Sequence, residues 1–358
     1  SVITVTRETI EDAILGGSVL GGGGGGSMMN GRNLAEEALR LGKVRIATVD
    51  ELERDDLVVT ASAVGAPSTV EPGGIPVSAY SKSIGNFIDC YGTAPAGIIS
   101  CASVNGWIQA AEAGVMVIDA PANGRAHPIG LMGSMGLEDV EGYVSHQVIV
   151  AGASKDSGVE AYFCGGLRAV TASVRAVAAV VPGLAANVRN PVTKEYVEKH
   201  AAAGALTKAI KVGRAMNSAR DAASKISAAA SELHGEVIAS GIVVERRIWV
   251  QDGYDYGMLS IREDNGRTWR LPFWNEYMGA EAEGVYRATF PDLTMTFDVS
   301  SGNPLPSSAI MEGIRVAVLA VPSDRLILGA GCLPGKVAEV VRGALSIITS
   351  RTERNDPV

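Results

Sequence analysis

Within ten residues, Asp119-Ala-Pro-Ala-Asn-Gly-Arg-Ala-His-Pro128 gathers a carboxylate, an amide, a guanidinium and an imidazole. Together they offer a base or metal ligand in Asp119, an orienting amide in Asn123, an anion clamp in Arg125 and a second base in His127. The apolar run Val115-Met-Val-Ile118 ahead of them reads as a strand. Asp119 is therefore expected at a strand's carboxyl end, where open α/β sheets bind ligands. The competing reading is a turn in which Asp119 caps a helix and Arg125 pairs with it. Asp119, His127 and His146 could also give three ligands to a divalent metal such as zinc, with a position left open for water. No HExxH-type spacing supports that reading. Cys101 follows the apolar run Gly97-Ile-Ile-Ser100, with Asn105 at the next helix start. A thiolate is stabilised at a helix N-terminus, and a free cysteine is equally a common core residue. Glu71, beyond the Gly65-Ala-Pro67 turn, is expected to reach the same edge. The Asn275-Glu276 pair and Asp292 fall in the later, β-rich part, where loop-end salt bridges are the plain alternative. His200 and His234 read as surface or helix-end residues.

Six consecutive glycines, Gly21 to Gly26, precede these groups. Such a run permits positive φ and close approach of another group to the main chain. The segment Asn33 to Gly42 that follows has helical spacing and ends on a glycine, so the run feeds a helix N-terminus. Unpaired N–H groups and the positive end of a dipole suit an anion or a polar heterocycle. Gly22, Gly23, Gly24 and Gly25 are thus expected to bind substrate; a mobile loop is the alternative. No Gly-Lys-Ser or Gly-Lys-Thr follows, and the residues before the run read as a helix capped by Thr6 rather than a strand. Neither a P-loop nor a dinucleotide fingerprint is present.

The elements that must hold these groups follow from composition and period. At 358 residues and 47% hydrophobic, the chain can bury two cores. A net charge of −8 argues against nucleic acid and anionic membranes, because both need clustered Lys and Arg. The longest apolar region, Leu167 to Ala186, is broken by Arg168, Arg175 and Pro182, so it is no membrane span. The opening residues lack a secretory pattern, and four scattered cysteines without a CxxC pair read as reduced thiols. A cytoplasmic location is expected. Short apolar runs (Val44–Val49, Leu57–Thr60, Gly97–Ser100, Val115–Asp119) alternate with helical stretches, which predicts an α/β domain with a largely parallel sheet over residues 1–165. His146–Ala151 and Val159–Phe163 add two strands, read as a hairpin. The second domain, 166–358, is expected to open with an alanine-rich helical segment (166–235), its last helix continuous from Ala205 to Leu233. A β-rich core, sandwich- or barrel-like, is predicted over 236–322, since turn signals recur every 8 to 12 residues. Alanine faces in excess of what one domain can cover predict a homo-oligomer.

In the order of its segments the chain resembles the S-methyl-thiohydantoin desulfurase family, which is associated with hydantoinase systems. The resemblance runs from Ile14-Leu-Gly-Gly-Ser-Val-Leu-Gly21 and the glycines through Asp55-Asp-Leu-Val-Val59, Gly65-Ala-Pro67 and Gly124-Arg-Ala-His-Pro128. It continues in Gly204-Ala-Leu-Thr-Lys208, Asn275-Glu276, Pro291-Asp-Leu293 and Gly313-Ile-Arg-Val-Ala-Val318. The family's usual segment reads Asp-Ala-Asp-Gly-Met-Gly-Arg-Ala-Phe-Pro. Here Pro121 stands for its second aspartate, Ala122 for its glycine, Asn123 for its methionine and His127 for its phenylalanine, so a carboxylate is lost and an imidazole gained. The resemblance implies a small-molecule hydrolase acting on a thiohydantoin or cyclic ureide, with a changed ring or a modified mechanism. The alternative it implies is an accessory subunit that binds an ATP-dependent hydantoinase- or oxoprolinase-type partner.

Overall fold

A computed structural model describes residues 1–69, 75–101, 104–152, 158–181 and 183–354. The chain opens with β1 (Val2–Thr4), α1 (Arg7–Leu20), α2 (Met28–Leu41), β2 (Arg45–Ala47) and β3 (Leu57–Gly65). Next come α3 (Val77–Tyr91), β4 (Gly97–Ser100), α4 (Trp107–Ala113), β5 (Met116–Ile118), β6 (Ser145–Ala151) and β7 (Val159–Gly165). The middle holds α5 (Leu167–Val180), β8 (Leu184–Thr193), α6 (Lys194–His200), α7 (Ala205–Asn217) and α8 (Ala222–Leu233). The later strands are β9 (Glu236–Gln251), β10 (Tyr254–Arg262), β11 (Thr268–Trp274), β12 (Glu276–Tyr277) and β13 (Gly279–Ala282). After them run β14 (Val285–Thr289), β15 (Leu293–Asp298), β16 (Pro304–Leu305), β17 (Arg315–Val321) and α9 (Pro334–Glu353).

The first sheet has the order β1-β2-β5-β4-β3-β8-β6-β7. Its centre, β2-β5-β4-β3, is parallel, and β8, β6 and β7 extend it antiparallel, the last two as the expected hairpin. Helices α2, α3 and α4 cover one face, burying Ala35, Ala38, Ile84, Phe87, Trp107 and Ile108. α5 packs on the other through Val174 and Ala178. The second sheet, β14-β13-β11-β10-β9-β17-β15-β16 with β12 on β11, is antiparallel and does not close into a barrel. Helices α1, α7 and α8 meet β15 and β17 around Val19, Val212, Ala229 and Leu319, while α9 packs on the sheet through Val337, Val341 and Ile348. α1 belongs to both cores. It approaches α7 so closely that a Cβ on Gly16 would overlap the Ala209 carbonyl and one on Gly213 the Asp12 carbonyl.

Two expectations fail for identifiable reasons. The helix expected from Ala205 to Leu233 is two helices, because Asp221 accepts from Ser224 N at 2.8 Å and starts α8 afresh. The segment read as helical from Leu167 holds β8, an inner strand of the first sheet. Pro191 is tolerated there because the β3 register shifts between Val58 and Thr60, opposite Asn190 at φ 54°. A bulge removes the ladder bond that a proline cannot make. Of the alanines in this segment, Ala205 and Ala209 of α7 are buried within the chain, whereas Ala169, Ala172, Ala176 and Ala179 of α5 are exposed.

Candidate functional site

The glycine run links α1 to α2 and lies against the second sheet. Tyr277 N donates to Gly22 O at 2.8 Å, and both the N–H and hydroxyl of Ser307 donate to Gly23 O, at 2.8 and 2.9 Å. Gly22, Gly23 and Gly25 have φ of 55°, 90° and 79°, the left-handed region that favours glycine. Space demands glycine too. A Cβ on Gly22 would strike the Arg125 guanidinium, one on Gly23 the Tyr277 ring and one on Gly24 the Glu276 carboxyl. Ser27 caps α2 by accepting from Asn30 N at 3.1 Å.

Beneath this loop lies a cavity of about 540 Å³ between the two sheets. Gly21, Gly24, Gly25, Gly26 and the start of α2 form one wall. Ser62 to Gly65 at the end of β3, Cys101 beyond β4 and Asn105 form another, so the carboxyl ends of parallel strands meet the cavity as expected. His127, Arg175, Arg189, Asn275 and Glu276 complete it. Its size suits a small organic ligand.

Among the described residues, Glu276 is the acid of the cavity. It is 3% exposed, and its Oε2 has no hydrogen-bond partner among them. Burial raises its carboxyl to about 8, against the pull of Arg125 and Arg175. His127 is half-buried; burial and the neighbouring Arg189 guanidinium lower its imidazole to about 3. Its Nδ1 meets Asn123 Nδ2 at 3.2 Å and Arg125 O at 3.3 Å. Arg189 donates from NH2 to Cys101 Sγ at 3.2 Å. Arg175 is held by the carbonyls of Gly253 (3.1 Å) and Pro128 (2.9 Å), with its guanidinium 4.0 Å over the Tyr254 ring.

The other groups singled out in the sequence are distributed differently. Asp119 caps α7 from outside: its Oδ1 accepts from Leu206 N (2.9 Å) and Thr207 N (3.1 Å), and Oδ2 from the Thr207 hydroxyl. It does not line the cavity. Arg125 is fully buried and pairs not with Asp119 but with the carbonyls of Pro291 (2.8 Å) and Asp292 (2.6 Å), stacked 4.3 Å from the Phe290 ring. It too lies behind the cavity wall. Asn123 spends its Oδ1 on Gly124 N at 2.9 Å and Gly329 N at 3.4 Å. Gly24 and Gly25 line the cavity, whereas Gly22 and Gly23 pack against the second sheet. His146 bonds the Tyr162 hydroxyl at 2.6 Å and sits edge-on to Tyr91, outside the cavity. Asp119, His127 and His146 are therefore not brought together, and among the described residues no three His, Cys, Asp or Glu side chains are placed to hold a metal. Glu71 lies outside the described residues. Asp292 binds Ser323 N at 2.7 Å and Thr289 N at 3.2 Å as a loop clasp. No described helix is long and apolar enough to cross a membrane.

Sequence reasoning missed Arg189, because 166–235 reads as a mostly helical segment, and Arg175, which stands out there only as a charge breaking an apolar run. The signal was there in Asn187-Val-Arg189: polar side chains at alternate positions of an apolar run mark one face of a strand.

Comparison with known proteins bears on the whole chain. The model of the S-Me-THD-like N-terminal domain matches residues 8–154, and that of the S-Me-THD-like C-terminal domain matches residues 167–330. A crystal structure of a Chromobacterium violaceum protein is similar in fold, with a TM-score of 0.67 at 20% identity. The match covers 95% of this chain and 97% of that one. No curated protein matches.

Proposed function

The chain belongs to the S-Me-THD-like family of S-methyl-thiohydantoin desulfurase relatives, and on that premise we propose that it hydrolyses a five-membered thiohydantoin- or hydantoin-type ring in the cavity under the glycine loop. The observation that carries this reading is Glu276: a buried carboxyl with one oxygen unpartnered among the described residues, in one cavity with a wall of glycine backbone and a helix N-terminus. An acid tuned close to neutral pH is suited to take and return a proton.

In the reaction, a water attacks the ring C=S carbon while the Glu276 carboxylate takes its proton. Negative charge gathers on sulfur in the tetrahedral intermediate. The amides around Gly25 and Gly26 and the first turn of α2 lie on the wall that would receive it, and preorganised N–H donors are the strongest means of stabilising such charge. The C–S bond then breaks as Glu276 returns its proton to the departing sulfur. The new hydroxyl gives up its proton as the C=O forms, and that proton passes through Glu276 to the hydrosulfide. The products are the C=O ring and hydrogen sulfide. Attack on a C=O carbon instead opens the ring. Asp119 and Arg125 act through the fold: the first anchors α7 behind the site, and the second fixes the loop carrying Phe290 to Asp292. His127, neutral at physiological pH, orients a polar group rather than transferring a proton.

The test is to incubate purified protein with a panel of 2-thiohydantoins, S-methylated and free, and follow sulfide or thiol release with the loss of ring absorbance. Turnover that falls by at least about 10²-fold in Glu276→Gln is expected. No turnover of any ring by the wild type, without partner or ATP, would remove the hydrolase reading and favour an accessory subunit.

A further inference from the structure

Asp255 is a second buried carboxylate beside Glu276, and the proposed reaction makes no use of it. It stands on β10, 1% exposed, and among the described residues no cation lies within ion-pairing distance of it. Both oxygens are spent on one residue of the turn after β3. Oδ2 accepts from Ser68 N at 2.8 Å, and Oδ1 accepts from the Ser68 hydroxyl. Hydrogen bonds to a charged acceptor are strong, whereas burying a carboxylate without a cation is costly. The fold keeps that charge where β10 meets the end of the first sheet's β3.

The backbone of Asp255 is tied to the residue before Glu276. Asn275 N donates to Asp255 O at 2.6 Å, and Asp255 N donates back to Asn275 Oδ1 at 2.8 Å. Asn275 Nδ2 reaches the carbonyl of Gly65, the last residue of β3, at 3.4 Å. The Asn275 carbonyl accepts at 3.2 Å from the Ser307 hydroxyl, which also holds Gly23 O. Asn275 is 6% exposed with φ 53°, a conformation that asparagine takes more readily than most side chains. Glu276 follows directly, so its backbone is held between the end of β3 and the glycine loop. Gly65 and Pro67 line the same cavity as Glu276.

We infer that Asp255 is a positioning residue for Glu276: it grips Ser68 with its carboxylate and Asn275 with its backbone, locks the acid to the end of β3 and so keeps water from it. This rests on the reading above and adds a residue to the same site. Glu276 faces Arg125, Arg175 and Asp255, with Tyr254 and Cys332 also in electrostatic reach. Burial raises its carboxyl most and the Asp255 charge raises it further, while the two arginines lower it. Opening the clasp admits water and therefore lowers the value.

The experiment reads Glu276 without relying on turnover. The urea stability of each protein is compared with that of its own Glu276→Gln counterpart from about pH 5 to about pH 10. The pH at which the difference levels off is the ionisation of Glu276 in the folded state, about 8 with the clasp intact. It falls by about one unit or more in Asp255→Asn, whose amide turns an NH2 toward a Ser68 donor. It falls by about half a unit in Ser68→Ala, which keeps the charge and removes one donor of the clasp. The double variant matches Asp255→Asn, because both changes open one clasp. An unmoved value in both single variants makes Asp255 a purely structural residue and overturns the proposal. A shift in Asp255→Asn alone overturns it too, because the charge would then act without the clasp. Should Asp255→Asn not fold, Ser68→Ala decides alone. Both shifts in a protein that turns over no ring remove the ring reading and keep the positioning role. A wild-type difference that does not vary with pH overturns both.

Discussion

Replacing Glu276 with glutamine keeps the shape of the side chain and removes its proton, so stability and activity should move in opposite directions. In the unfolded chain the carboxyl releases its proton near 4.5, and in the folded protein near 8. Between those values the native state holds a proton that the unfolded state has lost. The contribution of Glu276 to stability is therefore fully present below pH 4.5 and disappears as pH rises through 8. Each pH unit in that window is worth about 1.4 kcal/mol, so between pH 6 and pH 9 the wild type loses about 3 kcal/mol on this account. Glu276→Gln, which cannot ionise, loses none of it. Urea midpoints for both proteins at pH 6 and pH 9, compared pairwise, report the difference, and the variant should gain on the wild type only at the higher pH.

The activity side follows from the same value. If the carboxylate is the base, kcat/KM of the wild type rises about tenfold per unit below pH 8 and levels off above it. Glu276→Gln abolishes that limb and costs about 10²- to 10⁴-fold at pH 8. An unchanged difference between the two proteins from pH 6 to pH 9 would show that Glu276 does not change protonation near pH 8, and a variant with full turnover would leave the proton to another group. Either result refutes the reasoning.

Asp119→Ala should cost about 1–3 kcal/mol of stability, because two backbone amides and a hydroxyl at the start of α7 lose their acceptor. Turnover per folded molecule should stay within about threefold; a normal melt with lost turnover would return Asp119 to the chemistry. Arg125→Met should cost about 2–4 kcal/mol by freeing the Pro291 and Asp292 carbonyls. It should also move the pH–rate inflection upward, since Arg125 holds Glu276 below the value that burial alone would give; an inflection that stays put would show the two groups to be uncoupled. Gly24→Ala drives a methyl into the Glu276 carboxyl and should reduce kcat/KM by more than about 10²-fold. Gly26→Ala, whose Cβ meets nothing within 4 Å, should be tolerated. Equal effects of the two glycine substitutions, measured side by side, would dismiss the contact.

Much of the fold was legible because its signals were local. Leu57-Val-Val-Thr60, Gly97-Ile-Ile-Ser100 and Arg315 to Val321 are apolar runs between turn residues, and they are strands where they were expected. β8 was not legible. Ala185-Ala-Asn-Val-Arg-Asn-Pro191 has weak strand composition, and it is extended because β3 and β6 lie on either side of it. That single misreading hid Arg189. The polar segment Asp119 to Pro128 was conspicuous for a related reason. Its side chains are buried and specific, but Asp119, Asn123 and Arg125 use that specificity on backbone amides and carbonyls of residues about 80 to 210 positions away, contacts that no local pattern encodes.

The glycine run illustrates how one sequence feature can serve structure and site at once. Gly22 and Gly23 give their carbonyls to Tyr277 and Ser307, which ties the α1–α2 connection to the second sheet. That attachment brings Gly24 against the Glu276 side chain, where a methyl would not fit. The carboxyl is thereby shut away from water, and burial is the largest cause of its raised value. A loop with side chains would stand off from β12, admit solvent and let Glu276 ionise in the ordinary range, where it would be a weak base. The glycines thus raise the Glu276 carboxyl as well as forming the wall opposite it.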